Sequence, residues 1–396
     1  MQMRSPTFAA PLLSGLLLAA TACLGLGGCA TRPATVSEEA MPYDRAIVVA
    51  ADALFEQTRT LSKRLAGQDR GTVILDPAIA ADTGQQTVAT QQLDRAIGER
   101  VQQSRQFELL PFQASSLAKA QYLLVGSLAK AQADVRVSVA LVALDGGEVI
   151  AQSSALARMD GIDMKPMSYY RDSPVLMKDE TVDGYVRTST TPVGKPADAT
   201  YLGRISAATA VHEAASLYNA GRYREALAEY RRLSAAPAGN QIRVLNGVYL
   251  ASAKLGRTAE AEDAFGRLVA YGLTQKNLSV KFLFNPGSTE FWADTRLTSA
   301  YGMWLRQIAR QAGSARTCMD IVGHSSKTGP EAVNDSLSAR RANSIRQKLS
   351  SESPELASRT RTLGMGSRNN LVGSGTDDVV DAPDRRVEFS IVDCPA

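Results

Sequence analysis

Apolar residues along this chain follow two periods, and the switch between them marks the elements. Ile47, Ala51, Leu54, Phe55, Leu61 and Leu65 recur at helical spacing, after which Val73-Ile74-Leu75 is a short apolar run stopped by Asp76-Pro77: a helix, then a strand and its terminator. Leu93, Ile97 and Val101 predict a second helix, Phe107 to Leu110 a strand, and Tyr122-Leu123-Leu124-Val125-Gly126 another after a short helical stretch. Val135, Val137, Val139 and Leu141 alternate strictly; the turn Asp145-Gly146-Gly147 and then Val149-Ile150 complete a hairpin. Helices interleaved with strands predict an α/β domain over residues 43–159.

Residues 160–202 show no periodicity and carry Pro166, Pro174, Pro192 and Pro196, so they read as an interdomain linker or draped segment. Tyr169, Tyr170 and Tyr185 in it either stack on glycan or pin the segment to its neighbours. From 203 to 275 the chain repeats: Leu217 to Leu233 and Ala251 to Leu268 align with Gly221 on Gly256, Ala226 on Ala261, Tyr230 on Phe265 and Leu233 on Leu268, at an offset of 35. The pattern resembles two tetratricopeptide helical hairpins, with Ile205 to Ala215 as a neighbouring helix. In 276–396, Val280 to Ser288 alternates as a strand, Tyr301, Trp304, Leu305 and Ile308 mark a helix, and Cys318 to Gly323 a second strand.

The N-terminus sets the expected location. Phe8 to Leu26 is apolar apart from Pro11, Ser14 and Thr21 and is preceded by the single basic residue Arg4, the pattern of a signal peptide over 1–28. Its end, Leu26-Gly27-Gly28-Cys29, resembles a bacterial lipobox, which implies lipidation of Cys29. The alternatives are a retained membrane helix or ordinary signal cleavage; Pro11 and the diglycine weaken a spanning helix. Ala30 is not Asp, which by resemblance to sorted lipoproteins implies the outer membrane, facing the periplasm. Residues 29–42 then read as a lipidated tether.

Composition narrows the function. The net charge of +4 over 396 residues lacks the dense basic face that nucleic acid requires. His212 and His324 are the only histidines, and the four cysteines form no Cys-x-x-Cys, so no metal or cofactor is expected. His212 reads as a structural or exposed residue without a second ligand in spacing. No catalysis is expected either, because a histidine beside Ser325 and Ser326 in sequence is not a triad.

The most specific stretch begins at Gly323-His324-Ser325-Ser326 and continues through Asn334-x-x-Leu337-Ser338-x-x-Arg341-Ala342-x-x-Ile345-x-x-x-Leu349. It resembles the peptidoglycan-associating motif of OmpA-like C-terminal domains. Gly364-Met365-Gly366 and Asp384-Arg385-Arg386-Val387-Glu388 resemble the family's last two strands. The resemblance implies a βαβαββ domain that binds the peptidoglycan stem peptide through Arg341, with Asn334, Ser326, Ser338 and His324 around it. On a helix Asn334, Ser338 and Arg341 share one stripe that Ile345 and Leu349 continue, so the polar end should line a pocket and the apolar end enter the core. Arg fits a carboxylate through two parallel hydrogen bonds; the other reading of Arg341 is an ion pair within the protein. Family members carry Asp fifteen residues before this Arg, where it receives a ligand ammonium. Here Ser326 stands in that slot, with Glu331 or Asp335 as possible substitutes. The α/β phrasing VILDP, FELLP and YLLVGSL resembles the small domains of TolB amino-terminal, CsgG and penicillin-binding-protein-activator lipoproteins.

The whole chain thus reads as an α+β multidomain protein: an α/β domain, tetratricopeptide-like hairpins and an OmpA-like domain. Processing would remove Cys23 and acylate Cys29, leaving Cys318 and Cys394 in an oxidising compartment. If their strands are antiparallel neighbours, as the family resemblance allows, they can form a disulfide; otherwise they are two separate thiols. Two functions fit: an anchor linking outer membrane to cell wall through peptidoglycan, or an envelope scaffold recruiting a peptidoglycan-synthesis or secretion machine through its N-terminal and repeat parts.

Overall fold

The structure, a computed structural model, describes residues 35–64, 70–176, 178–285, 287–292, 298–371, 375 and 384–394; the signal segment and Cys29 lie outside them. Strand β1 (Thr35–Met41) and helix α1 (Tyr43–Arg64) are followed by β2 (Gly71–Leu75), β3 (Ile79–Ala80), α2 (Val88–Ser104) and β4 (Phe107–Leu110). Next come α3 (Ala114–Leu117) and a meander of β5 (Tyr122–Ala131), β6 (Asp134–Ala143) and β7 (Val149–Arg158). The seven-stranded sheet runs β1-β7-β6-β5-β2-β4, with β3 also pairing β5. Thr87 starts α2 with a capping box to Thr90, satisfying two backbone N–H groups that the first turn leaves without partners.

The expected tether of 29–42 is shorter than its composition suggested: Thr35–Met41 pairs in parallel with β7, taking up the open edge of that strand. The expected linker of 160–202 is also corrected. It contains α4 (Ser168–Asp172), α5 (Glu180–Thr190) and α6 (Ala199–Leu202). The helices are short and separated by proline-bearing turns, so no period runs across them, but they have apolar surface to cover. On one sheet face α1 and α2 bury Ile47, Leu54, Leu93 and Ile97 against Leu124, Leu128 and Val137. On the other, Val182, Tyr185 and Tyr201 cover Ile74, Leu123, Val125 and Val142. Tyr169, Tyr170 and Tyr185 are all buried, so they pin the segment instead of facing glycan.

Two helical hairpins follow: α7 (Ile205–Asn219) with α8 (Tyr223–Ser234), and α9 (Ile242–Lys254) with α10 (Thr258–Thr274). Gly221 and Gly256 make the turns with φ of 75° and 69°, which residues with a Cβ rarely adopt. His212 on α7 packs edge-on against Phe112, with ring centroids 5.7 Å apart. The C-terminal domain comprises β8 (Leu278–Val280), α11 (Tyr301–Ser314), β9 (Cys318–Gly323), α12 (Glu331–Glu352), α13 (Leu356–Arg359), β10 (Thr360–Gly364) and β11 (Val387–Val392). Its sheet order is β10-β9-β11-β8, with β9 and β10 parallel and β11 antiparallel to both neighbours. One hydrophobic core runs from Tyr169 and Tyr170 through the hairpins to Phe282, Trp304, Ile345 and Phe389, so hairpins and C-terminal domain are packed as one body.

The strand expected over Val280 to Ser288 ends at Val280. Beyond it the backbone is engaged elsewhere: Lys281 N donates to Pro174 O (2.8 Å), Leu283 N to Tyr301 Oη (3.0 Å), and Phe284 bridges Phe291. Lys281 Nζ is buried and donates to Tyr170 O at 3.0 Å; burial pulls its pKa down to about 8. No described helix is long and apolar enough to cross a membrane.

Two expectations for stability follow. Cys318 and Cys394 are joined by a disulfide with Cα atoms 5.1 Å apart, beside the Val392–Cys318 pair of the antiparallel β9 and β11. Closing that loop contributes on the order of 4 kcal/mol by chain entropy. Thermal melts of the wild type with and without reductant, and of Cys394→Ser, should show the same lowering of Tm for reduced wild type and variant; unchanged melting would remove the disulfide from the stability argument. The second concerns Asp76, at the carboxyl end of β2, whose Oδ2 accepts from Tyr201 Oη at 2.6 Å. Burial raises its pKa to about 6 from the ordinary 3.8, against the opposing hydrogen bond from Tyr201 and the charge of Arg243. The folded state therefore holds this proton where the unfolded chain has released it. The stability it contributes is complete below about pH 4 and lost as pH rises to about 6. Asp76→Asn, which does not ionise, should gain on wild type across that window in urea midpoints; a constant difference would refute the assignment.

Candidate functional site

The site forms where β9 ends and α12 begins. β9 is the inner strand between β10 and β11, so its exit is enclosed by loops from both sides. His324 N donates to Arg386 O (3.1 Å) and Ser325 N to Gly366 O (2.9 Å), which ties the strand end to the loops after β10 and before β11. The structure brings the sequence-expected residues together: His324, Ser326, Asn334, Ser338 and Arg341 are all buried around this exit. Ile345 and Leu349 are fully buried farther along the same helix, as the change from polar to apolar stripe requires.

Each polar residue of the α12 stripe holds the backbone of a different loop. Asn334 Nδ2 donates to Thr328 O (3.1 Å) and Gly329 O (3.4 Å), closing the turn into the helix. Ser338 Oγ accepts from Gly366 N (2.9 Å) while donating to Asp335 O within its own helix. Arg341 Nε donates to Ser288 O (3.1 Å) and an Nη to Asn285 O (3.2 Å), with its guanidinium 4.9 Å from the centre of the Phe284 ring. A buried guanidinium needs several acceptors, and the turn at 285–288 supplies two carbonyls and an aromatic face.

Below the stripe lies a charged network that the sequence reading placed only in a strand. His324 Nε2 lies 3.3 Å from Glu388 Oε2, and Arg386 Nε donates to Glu388 Oε1 at 2.7 Å. Burial acts to raise Glu388, but His324 and Arg386 outweigh it and bring its pKa down to about 2, so the carboxylate stays ionised. Arg386 also reaches Asn369 O, Asn370 Nδ2 donates to Ser325 O (2.8 Å), and Leu371 N donates to the buried Asp384 Oδ1 (2.6 Å). The signal for this network was available: Arg386 and Glu388 are two apart in the segment expected as a strand, where alternate residues share a face.

Glu331 and Asp335, considered as substitutes for the missing Asp, are both engaged elsewhere. Arg368 Nη1 donates to Asp335 Oδ1 (2.6 Å) and Oδ2 (2.7 Å) and to Glu331 Oε1 (3.3 Å). Both acids are thus paired with one guanidinium, Arg368.

Among curated proteins none matches the chain. Several solved structures resemble 29% of it. The peptidoglycan-associated lipoprotein from Burkholderia pseudomallei is 23% identical over 89% of its own chain (TM-score 0.23). An outer membrane protein from Borrelia burgdorferi B31 is 24% identical over 88% (TM-score 0.22), and the cell wall anchor of the T6SS from Pseudomonas aeruginosa is 19% identical over 78% (TM-score 0.23). Residues 283–382 match the model of the OmpA family, so the domain that carries this site is OmpA-like.

Proposed function

We propose that this protein is an outer-membrane lipoprotein that binds peptidoglycan non-covalently through its C-terminal domain and so links cell wall to membrane. The observation that carries the reading is the convergence of Asn334, Ser338 and Arg341 with His324 and Ser326 at one strand exit, inside the segment that matches the OmpA family. OmpA-like domains generally bind peptidoglycan, and a stem peptide offers carboxylates that suit the fork of a guanidinium. The membrane half of the proposal rests on Leu26-Gly27-Gly28-Cys29; several acyl chains on one cysteine hold a protein at a membrane, where a single chain is marginal.

Sedimentation of the mature protein with purified sacculi tests the wall contact. Arg341→Ala should lose about ten- to a hundredfold in affinity, the scale of a lost charge-assisted partner. Because Arg341 also holds the 285–288 turn, a gain-of-function variant accompanies it: Ser326→Asp restores the carboxylate of the family pattern and should tighten binding several-fold. Wild-type-like sedimentation of both variants would remove the site from this function.

The anchor is tested separately. Labelled palmitate should enter the full-length wild type and not Cys29→Ser; equal labelling would end the lipoprotein reading.

A further inference from the structure

Six residues separate Cys29 from Thr35 in the sequence, a reach of about 20 Å at full extension. Thr35 pairs with Ser154, which is five residues along β7 from Val149 and four from Arg158. At about 3.3 Å per residue, both ends of β7 lie within about 17 Å of Thr35. An anchor at Cys29 therefore keeps the α/β domain close to the membrane surface, and the charge on the two ends of its sheet decides which end faces that surface.

At the end where β2, β4, β5 and β7 begin, the entering loops are tied together. Gln121 N donates to Thr72 O, Leu144 N to Gln121 O, and Val149 N to Lys195 O. Arg70, Arg105, Lys119 and Lys195 stand exposed in these loops, and none of the four is paired with an acid among the described residues. Helix α1 ends beyond Gln106, which accepts from Thr58 Oγ1, and its last two residues are Lys63 and Arg64. The exposed acids at this end are Asp145 and Glu148 in the turn and Glu108 on β4, so cations outnumber them. Val193, 43% exposed, adjoins Gly194, whose N donates to Val149 O.

The opposite end has the other sign. Asp82, Asp134, Asp160 and Asp163 outnumber the cations there, Lys130, Arg158 and Lys165. It is also where the chain departs for the C-terminal domain: Thr87 bridges Pro166, Met167 N donates to Gln86 O, and the same segment goes on to bridge Val175 with Val280 of β8. An anionic surface attracts the first end and repels the second.

We propose that the end of the α/β domain bearing Arg70, Arg105, Lys119 and Lys195 is a contact surface for anionic phospholipid, its cations at the headgroup phosphates and Val193 at the boundary with the acyl chains. The proposal rests on the lipid-anchor reading above for bringing this end to a membrane. The contact turns the acidic end, from which the chain leads to β8, away from the lipid.

The test supplies the anchor chemically, so its result does not depend on acylation in the cell. With Cys318 and Cys394 bridged, Cys29 is the single free thiol of the mature chain, and it is coupled to a maleimide lipid in vesicles. Lysine acylation read by mass spectrometry then maps what the membrane covers. On vesicles with about one third phosphatidylglycerol, Lys119 and Lys195 should react about fivefold more slowly than on phosphatidylcholine vesicles, the scale of one cation at an anionic surface. Lys130 and Lys165 should react equally on both. Salt at about 0.5 M should remove the difference, as should the double variant Arg70→Gln/Arg105→Gln at two exposed positions. Equal rates for Lys119 and Lys195 on the two vesicles, or protection of Lys130 and Lys165 in their place, would overturn the contact surface. Protection that survives both salt and the double variant would overturn it as well. If palmitate fails to label Cys29 while this protection is seen, the lipoprotein reading falls alone and the lipid contact stands.

Discussion

Backbone groups taken out of water must be paired, and residues 163–176 meet that requirement by binding three different neighbours. At one end Val88 N, Ala89 N and Met167 N tie the segment to the start of α2 through Lys165 O, Asp163 O and Gln86 O. In the middle Tyr169 N donates to Asn219 Oδ1, and Asp172 accepts from Tyr218 and pairs with Lys254, all on the helical hairpins. At the far end Leu176 N donates to Ser279 O, Lys281 N to Pro174 O, and Val175 bridges Val280, so the segment lies along the edge of β8. One stretch of chain thus closes a sheet edge, covers the hairpins and braces the α/β domain. The position of β8 and of the hairpins relative to the α/β domain depends on it.

The sequence was most informative where an element is long enough to show a period or repeats. α1, α2 and α12 lay under clear helical periods because each presents one stripe to a core; the β5–β7 meander, buried on both faces, showed itself by apolar runs and its turn, and the hairpins by their repeat. It was least informative for α4 to α6 and for β1. Ser168–Asp172 and Ala199–Leu202 are too short for a helical period to show, and Thr35–Met41 contains Ser, Glu and Glu in a segment whose pairing is set by an available edge rather than by its own pattern. At the site, motif spacing identified the stripe of Asn334, Ser338 and Arg341. It could not show what they hold, because their partners are the carbonyls of residues 285, 288, 328 and 329 and the amide of Gly366, and backbone groups carry no sequence signature.

That choice of partners changes what the motif does. Asn334, Ser338 and Arg341 are spaced to fix three loops around one strand exit, and the shape of that exit follows from where those loops are held. Such positioning is intolerant of small changes. An asparagine spans to two carbonyls, a serine accepts one amide, and only a guanidinium both forks to two carbonyls and lies on an aromatic face. A lysine at 341 would keep the charge and lose the fork.

The balance of charge at the exit follows from the same accounting of partners. Among the described residues, Glu388 is engaged by His324 and Arg386, Asp384 accepts from Leu371 N, and Glu331 and Asp335 pair with Arg368 on the outer side. Ser326 adds a hydroxyl and no charge of its own to the exit, so the pairs Glu388–Arg386 and Asp335–Arg368 balance each other within the protein itself.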